Sequence, residues 1–237
     1  GQARPAAPGS GAGAAGGDPA PAVRVPWRVF RAGMAFMLVA ETAETAVSCW
    51  AFSYGATTLG LPAKVAAMLP TAFYFSFTAC RIFVLPLSRR LLPSTIAQAG
   101  TLLTLIMAVL FYWLTSDIAL AVAGGATAED LSFRVPALIA CLGLMGAGTC
   151  PLFAMILASV LQHGELNAQE SGYFNTSVNL GICAGMFLPG FVPLPKLELL
   201  GAIGIFCILS SHERDFPWRQ RKAGAAGAAA VARAAQR

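Results

Sequence analysis

The chain has 237 residues, of which 57% are hydrophobic and only 11% charged, and its mean hydropathy is +0.66. A soluble domain carries about 25% charged residues, so this composition excludes an ordinary water-soluble globule and reads as an all-α, polytopic integral membrane protein. The formal charge of +5 calls for no nucleic-acid partner, because the basic residues lie in tails and connections, where a lipid bilayer places them.

Residues 1–26 are rich in Ala, Gly and Pro, with Arg4, Asp18 and Arg24. Such a segment cannot bury enough apolar surface to fold, and is expected to be a disordered cytoplasmic linker. It lacks the apolar core and basic flank of a signal peptide. Pro26 suits the first turn of a helix. Six apolar spans then follow near 28–54, 62–87, 95–115, 134–161, 170–192 and 196–211, making a six-helix bundle over 27–213. The last is short, with Glu198 near its start. A basic cytoplasmic tail, 214–237, closes the chain.

The first span sets the functional question. Phe30 to Tyr54 is about the roughly 20 residues that cross a bilayer core, yet Glu41 and Glu44 sit at its middle. An ionisable group at that depth costs a few kcal/mol and marks a functional site by default. Their i, i+3 spacing puts both on one helix face, which Thr45 and Ser48 continue. Two carboxylates this close disfavour joint ionisation, so the pair suits a proton or a bound cation. The alternative is a structural pair hydrogen-bonded to a neighbouring helix.

The second span has a polar stripe at Thr71, Tyr74, Thr78 and Arg81, again one face. Arg81 either snorkels to the interface or forms an ion pair inside the bundle, with Glu170 as first partner and Glu44 as the less favoured one on depth. Pro70 and Pro86 are candidates to kink this helix. The connection Ser116–Phe133 is weakly acidic and expected to be partly disordered. The fourth span holds GLMGAGTCP, Gly143 to Pro151, whose small residues permit close helix contact. The fifth carries Asn175 and Asn179 one turn apart, and Gly181 and Gly185 as a GxxxG packing face. Buried Asn binds either a polar ligand or a neighbouring helix.

All six cysteines fall in apolar segments without a CxxC pair, and read as small buried hydrophobes. No His lies in a span and no nucleophile–base or metal cluster can be assembled. No enzymatic activity, cofactor or metal site is therefore expected.

Orientation follows from Lys and Arg. With the N-terminal tail cytoplasmic, twelve fall inside: Arg4, Arg24, Arg28, Arg31, Arg89, Arg90 and six beyond residue 213. Only Lys64, Arg134 and Lys196 fall outside. This asymmetry requires an even number of spans. Trp27 and Trp218 fall at inner ends, Trp50 and Trp113 at outer ends, as an aromatic belt would place them.

The order Arg81, Pro86, Leu87, Ser88, Arg90, Pro93 at the second–third junction follows a first span ending AFSYG, Ala51 to Gly55. With GAGTCPLF in the fourth span and GYFNTSVNLGICAGMFLPGFV in the fifth, the chain resembles the C-terminal half of a major facilitator superfamily transporter. The branch it is most similar to holds sodium-dependent glucose transporter-like proteins and fucose permease. The resemblance covers residues about 28 to 211. It implies six of the family's twelve spans, with an N-terminal six-helix half as the missing partner. It also implies secondary active transport of a small polar solute such as a sugar, by alternating access, with a proton or sodium ion for coupling. Spans one, two, four and five would then wall the cavity, and Glu41, Glu44, Ser48, Tyr74, Asn175 and Asn179 would line the solute and ion path. A non-transporting six-span scaffold or receptor-like relative is the alternative.

Overall fold

The computed structural model describes residues 25–88, 90–91, 93–125, 133–161 and 164–212. Most of the expected linker, the basic tail, Arg89 and the acidic residues Glu129 and Asp130 lie outside the described residues.

Among the described residues the chain forms six long helices and no β-strand. They are α1 (Trp27–Ser53), α2 (Ala63–Ser88), α3 (Pro93–Ala123), α4 (Arg134–Leu161), α5 (Ala168–Phe187) and α6 (Leu194–His212). Three apolar stretches, Ala63–Ser88, Thr95–Ala123 and Arg134–Leu161, are long and apolar enough to cross a membrane. The chain is thus an all-α membrane protein. Glu41 and Glu44 lower the hydropathy of α1, as Gln169, Glu170, Asn175 and Asn179 lower that of α5.

The helix ends follow from local chemistry. Asn167 caps α5 by accepting from the Glu170 N–H at 2.7 Å, while the Glu170 carboxylate accepts from the Asn167 N–H at 2.9 Å. This reciprocal capping box satisfies two otherwise orphaned donors. At its far end α1 widens into a π-helical turn, Tyr54–Thr58, where the Leu59 N–H reaches back to the Tyr54 carbonyl at 3.1 Å. Gly60 then takes φ +62°, and the Leu61 N–H closes on the Gly55 carbonyl at 3.0 Å. Only glycine adopts that left-handed conformation without penalty, so the helix stops there.

The expected third span ends too early. Helix α3 continues to Ala123, because Ile118 to Val122 keep an apolar run going beyond Asp117. Asp117 consequently lies on a helix and pairs with Arg134, the first residue of α4, at 3.2 Å.

Helices α1 and α4 form the middle. Helix α1 packs against α5, α6, α2 and α4, while α4 packs mainly on α2 and α3. In α4, 61% of the most apolar window is buried, against 22% in α2 and 28% in α3, so α2 and α3 keep broad outward faces. The contact with α2 is close: a Cβ on Gly146 would collide with the Phe73 carbonyl. The GxxxG of α5 packs on α1, as a small-residue face does. A Cβ on Gly181 would stand 2.6 Å from the Leu38 carbonyl oxygen, and one on Gly185 2.5 Å from that of Thr42. One hydrophobic cluster joins the second half of α1 to α2, α3, α4 and the start of α6; another joins the first half of α1 to the ends of α4 and α6 and to α5.

Candidate functional site: a polar face on α1 and α2

Helix α5 runs parallel to α1. Phe174 meets Phe30 with ring centroids 6.5 Å apart, Ser177 donates to the Met34 carbonyl at 2.9 Å, and Gly185 lies against Thr42. Tyr74 of α2 meets Ser48 of α1. These pairings fix the level of every polar side chain.

Glu41 and Glu44 are both half-buried. Glu41 backs onto α5, its Cβ 2.8 Å from where a Cβ on Gly181 would stand. Glu44 lies within the electrostatic field of both Glu41 and Arg81. Ser48 continues the face one turn on, donating to the Thr45 carbonyl at 2.8 Å. Tyr74, 38% exposed, lies in the field of Glu44, Cys49 and Glu41. On α2, Thr71, Tyr74, Thr78 and Arg81 are all exposed, so the stripe is an uncovered face of that helix. Five of the expected residues therefore come together: Glu41, Glu44, Ser48, Tyr74 and Arg81.

Glu170, Asn175 and Asn179 do not join them. With Phe174 level with Phe30, Glu170 stands near the start of α1. Arg81, seven residues beyond Tyr74, is level with Glu41 and Glu44. The separation along the bundle is on the order of 20 Å, from about 14 residues at 1.5 Å each. The expected Arg81–Glu170 pair therefore does not form. Glu170 serves the capping box instead, and Arg81 lies over the Phe77 ring at 4.6 Å from its centroid. Glu44, which sequence depth disfavoured, lies within the field of Arg81, but no ion pair joins the two among the described residues. Asn175 and Asn179 are exposed on the side of α5 turned away from α1, one to two turns short of the level of Glu41, and no hydrogen bond joins either to the carboxylates among the described residues.

The cysteines also differ from the expectation. Cys141 and Cys150 are buried and Cys80 half-buried, but Cys49, Cys183 and Cys207 are exposed, because they fall on helix faces that the bundle leaves uncovered. Cys80 and Cys150 lie beside Arg81, between α2 and α4. Sequence reading noted Glu198 only as a mark of the short last span and gave it no role. It is 4% exposed in α6, and its Oε1 has no hydrogen-bond partner among the described residues. An acidic residue inside an apolar span was the available signal.

Chemically, the face offers two carboxylates, a guanidinium, a phenol and a hydroxyl in one half-buried strip. Carboxylates accept hydrogen bonds from hydroxyl groups or neutralise a cation, and Tyr and Ser both donate and accept. Among the described residues no group of three or more His, Cys, Asp or Glu side chains is placed to hold a metal ion. No family model, curated protein or solved structure matches the chain.

Proposed function

We propose that the chain is one six-helix half of a twelve-helix, major facilitator-type secondary transporter, and that the α1–α2 face lines its solute path. The observation that carries this reading is the gathering of Glu41, Glu44, Ser48, Tyr74 and Arg81 into one strip that the six helices leave partly uncovered. In a membrane chain such a strip cannot face hydrocarbon, where unpaired polar groups cost several kcal/mol. It therefore borders water or a second bundle. An N-terminal six-helix half supplies the opposite wall in this reading, and rocking of the two halves exposes the strip to each side in turn.

The solute is a small polar molecule such as a sugar, whose hydroxyl groups donate to the Glu carboxylates and accept from Arg81. A proton or sodium ion held by the Glu41–Glu44 pair couples its movement to a gradient. All six helices span the bilayer in this topology, with both termini cytoplasmic.

Uptake by the protein in proteoliposomes tests the proposal. Labelled D-glucose, D-galactose, L-fucose and myo-inositol are offered with and without an imposed proton or sodium gradient. The expected result is gradient-driven accumulation of at least one. Equal, non-saturable entry of all four in loaded and empty vesicles contradicts it.

A further inference from the structure

A second concave site lies at the end of the bundle where α1 finishes and α6 begins. Its volume is about 350 Å³, within the roughly 300–1,000 Å³ of small-molecule pockets. One wall is Trp50, Ser53, Tyr54, Thr57 and Thr58, and the other is the segment 189–194 with Phe191. The first wall has the spacing i, i+3, i+4, i+7, i+8 of a single helix face. A face packed in the hydrocarbon core would be mostly aliphatic, whereas here two rings and three hydroxyl residues share it.

The side chains are positioned for contact. The Trp50 indole N–H donates to the Met186 carbonyl at 3.0 Å, which fixes the ring between α1 and α5. Thr57 donates to the Ser53 carbonyl at 2.6 Å, which uses its proton and leaves its oxygen as an acceptor. The Ser53 and Thr58 hydroxyls carry no hydrogen bond among the described residues. Across the gap Phe191 is 86% exposed, a large ring that the described residues leave uncovered. The π-helical turn Tyr54–Thr58 builds this wall, and such turns concentrate at functional sites.

We infer that this cavity binds a neutral, ring-shaped polyhydroxyl compound of monosaccharide size. Among the described residues no Lys, Arg, Asp, Glu or His lines it, so the ligand it suits is uncharged. A pyranose offers apolar C–H faces to the Trp50 and Phe191 rings, and a rim of hydroxyl groups to Ser53, Thr57 and Thr58. Aromatic side chains with a polar edge suit a ligand that is apolar on its faces and wet at its rim. The site is separate from the carboxylate strip: Trp50 is two residues past Ser48, hence on the opposite side of the helix, and about 9 Å beyond Glu44 along it at 1.5 Å per residue. It stands whether or not the protein transports.

The test keeps Trp50 as the sole fluorophore through Trp27→Phe, Trp113→Phe and Trp218→Phe, with the full chain in lipid nanodiscs. D-glucose, D-galactose, L-fucose and myo-inositol are titrated into the tens of millimolar. At least one is expected to give a saturable change in Trp50 emission. Phe191→Ala, where an exposed ring leaves nothing to collapse, shifts the midpoint about tenfold or abolishes the change. Thr58→Val weakens it about threefold. Three outcomes overturn the proposal: no saturable response to any of the sugars; an unchanged response in Phe191→Ala; or quenching by brominated phospholipid that no sugar relieves, which assigns the cavity to a lipid tail.

Discussion

Two acidic positions in this molecule have opposite surroundings. Glu198 is buried on α6 with one carboxyl oxygen unpaired among the described residues. Glu41 and Glu44 are only half-buried, yet Arg81, Tyr74 and Ser48 gather around them. Burial without company makes a carboxyl a liability to the fold, since a buried polar group lacking a partner costs a few kcal/mol. Partial burial with company makes a polar environment that can accept something else. The difference separates an acid that the structure tolerates from a pair that lies in a polar neighbourhood.

The comparison breaks most easily at the frame that holds the pair. Gly185→Leu forces a side chain against the Thr42 carbonyl, where even a Cβ stands at 2.5 Å. It is expected to cost about 2–3 kcal/mol, read as a lowered melting temperature in detergent; unchanged melting would mean that α1 and α5 do not pack as described. Glu198→Leu sharpens the other side. Replacing a lone buried carboxyl with an apolar side chain of similar size is expected to raise stability by about 1–2 kcal/mol, with solute uptake intact. Loss of uptake in a well-folded Glu198→Leu protein would make Glu198 a working group and erase the contrast.

Smaller effects probe what surrounds the pair. Phe77→Leu removes the ring beneath Arg81 and is expected to cost about 0.5–1 kcal/mol, while altering any pH or cation dependence of uptake, because Arg81 then sits differently against Glu44. An unaltered profile would separate Arg81 from the strip. The least effect belongs to a third kind of acid. Asp117 and Arg134 are both more than a third exposed, so Asp117→Asn is expected to change stability by no more than about 1 kcal/mol; a larger drop in melting temperature would show the pair to be shielded from solvent.

Much of this was legible beforehand because helical periodicity is a local property. The stripes on α1 and α2 follow from residue spacing, and five of the helices end within a few residues of expectation. Helix α3 runs past the expected 115 to Ala123, because the apolar run after Asp117 carries it on. Neighbour relations were not legible. Whether Arg81 meets Glu170 or Glu44 depends on the direction and offset of α5 against α1, which the Phe30–Phe174 and Met34–Ser177 contacts set. The same offset puts Asn175 and Asn179 at a different level from the carboxylates. The exposure of Cys49, Cys183 and Cys207 depends on which faces the six helices cover, and composition carries no such information. The cavity at Trp50 needs residues about 140 positions apart, beyond any local pattern.

The central claim, that Glu41 and Glu44 line a solute path, is tested most directly by the isosteric amides. Glu41→Gln and Glu44→Gln keep size and hydrogen-bonding capacity but remove the charge. Each is compared with the unmodified protein in proteoliposomes, under an imposed proton or sodium gradient, after matching for folded protein by melting temperature. Normal melting with gradient-driven accumulation abolished, or solute affinity lowered about tenfold or more, is the expected result, since a hydrogen bond to a charged group contributes about 1.5–3 kcal/mol. Unaltered coupling and affinity in both amides, or lost folding with normal coupling in the protein that remains, would contradict the claim and make the pair structural.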